Sequence, residues 1–165
     1  MIFVVTGVHE HGFDRLVMEV DRLAGEGKIE KVYIQTGFAT FKPKYCEHSK
    51  AIDFYKFEKM MDKADLIISH GGAGCIAGAL ERNKPTILVP RLKKFNEHNN
   101  DHQLELVFDL EKKGRVLAVY DIRNLDKMIQ KARQFRPSST IGKNKIVRMI
   151  RKFLFEIAEQ KGLKV

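Results

Sequence analysis

The chain has 165 residues, of which 44% are apolar, and carries a formal net charge of +9 from 30 basic and 21 acidic residues. The length fits one domain that is large enough to bury a core. The sequence shows no apolar stretch near the ~20 residues of a membrane span, no signal peptide, and no C-x-x-C pairing of Cys46 with Cys75. We therefore expect a cytoplasmic protein without a disulfide framework or a zinc site.

The predicted elements alternate between short apolar runs and segments with helical spacing. In chain order they are a strand over 2–6, a helix over 13–23, a strand over 31–35, a helix over 57–63, a strand over 66–69, a helix over 75–82, a strand over 86–89, a helix over 102–112, a strand over 116–119, and helices over 125–133 and 143–161. This alternation predicts an α/β fold with a single open parallel sheet and helices on both faces.

Two polar stretches, 37–50 and 91–100, break this alternation. Each follows a predicted strand, so each is expected at the carboxyl edge of the sheet, where open α/β folds bind their ligands. Phe38, Pro43 and Tyr45 of the first stretch either line a ligand pocket or pack the loop. The sequence leaves these two alternatives open.

A glycine-rich turn, His70-Gly71-Gly72-Ala73-Gly74, joins a predicted strand to a predicted helix. Glycines let a ligand approach the main chain closely, and the first N–H groups of a helix have no partner within it. The turn therefore predicts a site for a phosphate or diphosphate. It is not a P-loop, because no Gly-Lys-Ser/Thr closes it, and its glycine spacing does not fit the dinucleotide fingerprint. The alternative is a turn that only connects the two elements.

Basic residues concentrate toward the C-terminal end of the chain. They are Lys131, Arg133, Arg136, Lys143, Lys145, Arg148, Arg151 and Lys152. Nucleic acid, an anionic membrane surface, an acidic partner or a merely solvated basic face would each explain such a cluster. Because no aromatic stacking strand or zinc-finger spacing accompanies the charge, we expect no nucleic-acid partner. The amphipathic helix over 143–161 either covers the sheet or docks on a partner or the membrane surface.

Five stretches together resemble family 28 glycosyltransferases, and within them the donor-binding half. They are VTGVHEHGFDRLV, QTGFATFKPKY, ADLIISHGGAG, KPTILVPR and NEHNNDHQLEL. The similarity covers most of the chain and extends to the small subunits of two-part transferases, those of asparagine-linked glycosylation and of bacterial polysaccharide synthesis. It implies that residues 1–165 form a single UDP-sugar-binding domain, one Rossmann-like half of a GT-B fold.

The resemblance also implies an activity and a partner. The chain is expected to be the donor-binding subunit of an inverting glycosyltransferase, which moves a sugar, with N-acetylglucosamine favoured, from a UDP-sugar to a lipid-linked acceptor. A membrane-associated subunit would bind the acceptor and keep this chain at the cytoplasmic membrane face. The UDP-sugar is a substrate, so no cofactor is expected. We expect activity only with the partner subunit.

Matched position by position, the family's diphosphate loop falls on the glycine-rich turn. The implied substrate-binding residues are Gly7, His70, Gly71, Gly72, Ala73, Gly74, Cys75, His102 and Gln103. The Gln103 amide is implied to bind sugar hydroxyls, which suits a group with donors and an acceptor. His70 either donates to a phosphate or sugar oxygen or caps the turn. His9 is the candidate catalytic residue, as a general base or a phosphate contact.

A metal site is not expected. His98 and His102 stand four residues apart, as metal ligands on a helix would, but no third ligand is obvious in the sequence. The family resemblance implies no protein-bound metal either.

One position departs from the family pattern. Many single-chain relatives hold the ribose with a glutamate seven residues before the proline of the next strand, and here Pro85 places Gly78 at that position. Glu81 lies nearly one turn further along the helix, so the contact to the ribose is open. The alternatives to a transferase subunit are a non-catalytic nucleotide-sugar-binding module, which the Gly78 departure favours, and a self-sufficient nucleotide-sugar epimerase.

Overall fold

A computed structural model of the protein describes residues 1–8 and 10–138. Its strands are β1 (Ile2–Val5), β2 (Val32–Gln35), β3 (Glu47–Ser49), β4 (Leu66–His70), β5 (Thr86–Val89) and β6 (Leu117–Ala118). Its helices are α1 (Asp14–Gly25), α2 (Phe54–Lys63), α3 (Ala73–Glu81), α4 (His102–Lys112) and α5 (Leu125–Ala132), with short 3-10 turns at Lys93–Phe95 and Ile122–Asn124. His9 and the predicted helix over 143–161 lie outside the described residues. Within those residues, no helix has the length and apolar character needed to cross a membrane.

The six strands are parallel and follow the order β3-β2-β1-β4-β5-β6. The order reverses between the central strands β1 and β4, which pair from Ile2 with Leu66 to Val5 with Ser69. The loops after β1 and β4 therefore leave the sheet side by side, one toward α1 on one face and the other toward α3 on the opposite face. Open α/β sheets bind ligands at such a switch point.

Alternate residues of the central strands point to opposite faces of the sheet. Val4 and Ile68 pack with α1 and α5 on one face, whereas Phe3 and Ile67 pack with α2 and α3 on the other. Helix α4 packs against Leu88 in a further cluster that also contains residues of α3. Because helices cover both faces, the strands are continuous apolar runs. The prediction of an open parallel sheet with helices on both faces is confirmed.

Two elements differ from the sequence prediction. The stretch 37–50, predicted as a loop throughout, contains the short edge strand β3, whose largely exposed polar residues carry no apolar pattern. Helix α2 begins at Phe54, one turn before the predicted start. Its N-cap is Asp53, whose carboxylate accepts a hydrogen bond from the Lys56 backbone N–H at 2.8 Å. Backbone pairing and capping decide these boundaries, and apolar spacing does not reveal either.

A buried aspartate of α1 organises the loop between β2 and β3. Asp21 is 3% exposed, and its carboxylate accepts hydrogen bonds from the backbone N–H groups of Lys44, Tyr45 and Cys46 at 2.8 to 3.2 Å. Burial, followed by the Asp21 charge, raises the pKa of the Cys46 thiol to about 12, so this thiol stays protonated at neutral pH. The carboxylate therefore holds the end of this loop against α1, just before β3 begins.

Replacing Asp21 should therefore destabilise the fold. We expect Asp21→Ala to lower the free energy of unfolding by about 2–3 kcal/mol, because three backbone N–H groups, one of them buried, lose their acceptor. Asp21→Asn keeps one carbonyl oxygen as acceptor and should lose less. Urea unfolding followed by circular dichroism measures both variants, and equal losses would contradict the role given to the carboxylate.

Candidate functional site

The turn after β4 exposes the first N–H groups of α3. Strand β4 ends at His70 and α3 begins at Ala73, with Gly72 at the N-cap. Gly72 has no side chain to cap the helix, and no side-chain cap is present at this end among the described residues. The N–H groups of the first turn, together with the helix dipole, make this end of α3 suited to an anion.

The three glycines of the turn differ in their surroundings. A Cβ atom on Gly71 would lie 2.9 Å from the Cβ of Gln103, and one on Gly72 would lie 2.3 Å from Nε2 of His70. By contrast, a Cβ on Gly74 would meet no described atom within 4 Å. Packing therefore requires glycine at positions 71 and 72, whereas the space above Gly74 is open to a ligand.

The His70 imidazole lies between the two central loops. A Cβ atom on Gly7, whose φ is +82°, would come within 2.7 Å of the ring, as would one on Gly72 from the other loop. The Nδ1 atom lies 3.3 Å from the Val5 carbonyl oxygen, which ties the end of β4 to β1. These contacts fit the alternative in which His70 supports the turn. A bond from His70 to a ligand stays a prediction.

A cleft of about 470 Å³ opens between the loop after β1, the start of α2 and the start of α3. Six predicted site residues line it together: Gly7, His70, Gly72, Ala73, Gly74 and Cys75. Sequence reasoning missed the remaining lining residues, which are Val5, Val8, Gln35, Ile52, Phe54 and Phe57. The cleft thus combines the polar end of a helix with apolar and aromatic side chains. Such a lining suits a ligand that joins an anion to a flat apolar group.

Gln35 is the buried polar residue of the cleft. It is 5% exposed, and its Nε2 atom donates to the Gly7 carbonyl oxygen at 3.3 Å. In the sequence, a lone polar residue at the carboxyl end of an otherwise apolar strand is the signal that identifies it. The sequence signal for Phe54 is weaker. Only the N-cap residue Asp53 indicates that α2 begins as early as Phe54, beside the cleft.

The aromatic residues of the loop after β2 pack elsewhere. The Phe38 ring lies 4.8 Å from Nζ of Lys50, and Pro43 is buried. The Tyr45 ring packs on Gly25 at the far end of α1, where a Cβ atom on Gly25 would lie 2.7 Å from the ring. None of Phe38, Pro43 and Tyr45 lines the cleft. Their positions fit the alternative in which they pack the loop.

The first turn of α4 borders the glycine turn from the side. Gln103 packs on Gly71, and its Oε1 atom accepts a hydrogen bond from the Arg91 backbone N–H at 3.0 Å. No described residue accepts a hydrogen bond from its Nε2 group. His102 begins α4, and its backbone N–H donates to Oδ1 of Asn100 at 3.2 Å. The predicted His-Gln pair thus lies beside the turn but outside the cleft lining.

Cys75 belongs to the first turn of α3. It is 8% exposed, and burial raises the pKa of its thiol to about 11, while the hydrogen bond with Ser69 acts in the opposite direction. The thiol is therefore protonated at neutral pH and is a poor nucleophile. Cys75 lines the cleft and also belongs to the buried apolar cluster on this face of the sheet.

The groups that this cleft offers to an anion are the backbone N–H donors at the start of α3. Over residues 1–8 and 10–138, no group of three or more His, Cys, Asp or Glu side chains is arranged to hold a metal ion. The Nδ1 atom of His98 accepts a hydrogen bond from the Asn100 backbone N–H at 3.3 Å, so it helps to shape the loop before α4.

A second cavity, of about 600 Å³, lies at the amino edge of the sheet. Its lining includes Met1, Lys28, Pro85 and Arg133. This cavity is larger, but ligands of open α/β sheets bind at the carboxyl ends of the strands, where helix N-termini face the ligand. The cleft at the glycine turn is therefore the candidate site.

The family of the chain follows from a match over nearly its whole length. The model of the glycosyltransferase family 28 C-terminal domain matches residues 1–159. The chain belongs to this family. Among related sequences, the human UDP-N-acetylglucosamine transferase subunit ALG13 is 34% identical over 125 residues, which are 70% of this chain and 10% of that protein. This family 28 chain thus spans about a tenth of the human relative.

Solved structures share the fold of this family 28 domain. The solution structure of ALG13 superposes with a TM-score of 0.63 at 16% identity, covering 90% of this chain and 94% of that chain. The calicheamicin glycosyltransferase CalG4 superposes with a TM-score of 0.54 at 17% identity, covering 93% of this chain but 38% of that chain. At these identities the similarity establishes the fold alone. The prediction of one Rossmann-like half of a GT-B fold is confirmed.

The contact between His70 and Gly72 can be tested by a double-mutant cycle. We expect Gly72→Ala to lower the free energy of unfolding by roughly 1–3 kcal/mol, because the new methyl group overpacks the site at the imidazole ring. In a His70→Ala background the same change should cost clearly less, since the ring is absent. Thermal and urea unfolding of the four proteins measure the coupling. Equal costs in both backgrounds would show that the ring does not restrict position 72.

Proposed function

We propose that this family 28 domain binds the UDP-sugar donor of a two-component inverting glycosyltransferase, with UDP-N-acetylglucosamine as the favoured donor. The observation that carries the proposal is the uncapped start of α3, which faces a cleft at the switch point of the sheet and has open space above Gly74. A diphosphate there accepts hydrogen bonds from the first-turn N–H groups and lies at the positive end of the helix dipole. The UDP-sugar is a substrate in this proposal, and no resident cofactor is part of it.

The two sides of the turn suit the two ends of a sugar nucleotide. On the side of α2, Ile52, Phe54 and Phe57 form an apolar and aromatic wall for the flat base. On the side of α4, Gln103 packs on Gly71, and in this proposal its amide group donates to sugar hydroxyls. This division puts the diphosphate over Gly74, between the base and the sugar.

The ribose contact differs from the family pattern. A Cβ atom on Gly78 would point to the Met61 methyl group at 3.2 Å, so this position faces α2. Glu81 is the last residue of α3, about 10 Å along the helix axis from Gly74. We infer that neither residue holds the ribose.

In the proposed reaction, an acceptor hydroxyl attacks the anomeric carbon directly and the UDP group leaves with its bonding electron pair. Negative charge grows on the departing diphosphate, and the first turn of α3 stabilises that charge. The base that accepts the hydroxyl proton is His9 or a residue of the partner. His70, Gly72 and the other cleft residues bind and orient the donor.

We also propose a partner subunit. The chain covers 38% of the CalG4 chain, and the described residues form one Rossmann-like domain, whereas a GT-B enzyme closes two such domains over its substrates. We propose that a membrane-associated subunit supplies the second domain and the lipid-linked acceptor, and keeps this chain at the cytoplasmic membrane face. The human relative is named as a subunit of a transferase, which supports the two-part arrangement.

Donor binding is tested by a change of charge at the open glycine. Gly74→Asp fits the open space and should maintain the unfolding temperature, because a carboxylate in the first turn of a helix is favourable by roughly 0.3–1 kcal/mol. The same carboxylate repels a diphosphate. We expect UDP to bind Gly74→Asp about tenfold or more weakly than Gly74→Asn, which has the same shape without the charge.

Isothermal titration calorimetry with UDP measures these affinities, and Gly78→Ala serves as a control on the same helix away from the cleft. Equal affinities of the Gly74→Asp and Gly74→Asn proteins would place the diphosphate elsewhere. If UDP shows no affinity for the unmodified chain, alone or with its partner, the proposed function is wrong.

Transfer should require two polypeptides. We expect sugar transfer from radiolabelled UDP-N-acetylglucosamine to a lipid-linked acceptor only when the chain is co-expressed with an acceptor-domain protein, and loss of transfer in the Gly74→Asp complex. Thin-layer chromatography of the lipid product measures it. Turnover of the UDP-sugar by the isolated chain would instead indicate an epimerase. A complex that binds UDP without transfer to any acceptor would indicate a binding module.

A further inference from the structure

Arg91 follows β5 and carries its charge into the interior of the protein. Its side chain has 0% exposure. The Nη1 atom donates to the carbonyl oxygens of His11, Gly12 and Glu97 at 2.7, 3.2 and 2.9 Å. The Nη2 atom donates to the carbonyl oxygen of Thr6 at 2.6 Å. Four backbone carbonyl groups thus converge on one guanidinium group, and three of them belong to the loop after β1.

The backbone of the same residue reaches the opposite border of the site. Its N–H group donates to Oε1 of Gln103 at 3.0 Å, and Gln103 packs on Gly71. The loop held by the guanidinium group includes Gly7, which packs on the His70 ring. Arg91 is therefore linked to the glycine turn from two sides, through the loop after β1 and through the first turn of α4.

Stability alone does not explain this arginine. No described carboxylate forms an ion pair with Arg91, and Glu97 pairs with Arg15 at 2.8 Å instead. Burial lowers the pKa of Arg91 to about 10, an effect that the Glu97 charge opposes, so the side chain is charged at neutral pH. Its Nε atom is buried without a partner among the described residues. An apolar side chain of similar volume would avoid the cost of burying a charge.

We propose that Arg91 is a positioning residue of the donor site, which holds the loop after β1 and the Gln103 side chain in place around the glycine turn. The proposal rests on the proposed function for the identity of the ligand. A planar guanidinium group with five N–H donors suits several carbonyl groups at once. Lysine has its donors on one atom, and methionine has none.

Arg115 provides a matched control. It precedes β6, is 1% exposed, and its Nε atom likewise lacks a partner among the described residues. Its guanidinium group donates to the Ser138 carbonyl oxygen, away from the cleft. Arg91→Met and Arg115→Met therefore remove the same buried group at two places, of which only one adjoins the site.

The first measurement needs no nucleotide. The Thr6 backbone N–H donates to the Gln35 carbonyl oxygen at 3.2 Å, and the Leu92 N–H donates to Oε2 of Glu97 at 3.0 Å. We expect amide hydrogen exchange at Thr6 and Leu92 to be about tenfold faster in Arg91→Met, because the two loops open locally. Arg115→Met should leave both rates unchanged. Unchanged exchange in Arg91→Met overturns the proposal, whatever UDP does.

The second measurement is the affinity for UDP, taken by calorimetry below the unfolding temperature of every variant. We expect Arg91→Met to bind UDP about tenfold more weakly, because preorganisation of the site is lost. Arg91→Lys should fall between Arg91→Met and the unmodified protein, and Arg115→Met should bind UDP normally. Equal losses in Arg91→Met and Arg115→Met, or none in either, overturn the proposal.

Failure of a variant to fold and failure of the unmodified protein to bind UDP can be told apart. If Arg91→Met does not fold, Arg91→Lys takes its place in both measurements, with the same direction expected at Thr6 and Leu92. If the unmodified protein binds no UDP, the proposed function fails, and the exchange rates alone decide whether Arg91 holds the two loops.

Discussion

The reversal of strand order between β1 and β4 is the constraint on which the rest of the site depends. Because these strands lie side by side while their connections pass to opposite faces, the two loops separate and leave a cleft between them. The uncapped end of α3 faces this cleft. Without the reversal, the helix N-terminus would have an ordinary loop beside it and no space for a ligand.

Close packing around His70 sets the shape of the cleft. Glycine at positions 7 and 72 lets two main-chain segments approach the imidazole ring from two sides, which brings the loop after β1 against the turn after β4. Gly74 differs from both, because its open side has no packing function among the described residues. One glycine-rich motif therefore contains residues whose lack of a side chain is required by packing and one residue, Gly74, where packing sets no such requirement.

The side of the site next to α1 is held by polar contacts rather than apolar ones. Glu97 is 4% exposed, accepts two bonds from Arg15 at 2.8 Å, and also accepts the Leu92 N–H. Arg91 binds four carbonyl groups in the same region. Hydrogen bonds of this kind specify geometry more narrowly than apolar contacts do, because each partner must lie at a defined distance and direction. Two loops without regular structure are thereby kept in one arrangement.

The sequence by itself determined the alternation of strands and helices, from which the parallel sheet follows, and the glycine turn between β4 and α3, because these patterns lie in residues that are neighbours along the chain. It did not reveal β3, whose pairing with β2 is a contact between separate segments. It also left Gln35, Phe54 and Arg91 unassigned to the site. The polar end of an apolar strand marks Gln35 only weakly, and nothing local marks Arg91 as a buried residue beside a cleft. Only the tertiary structure decided which loops meet there, because strand order and long-range hydrogen bonds are set by packing across the whole sheet.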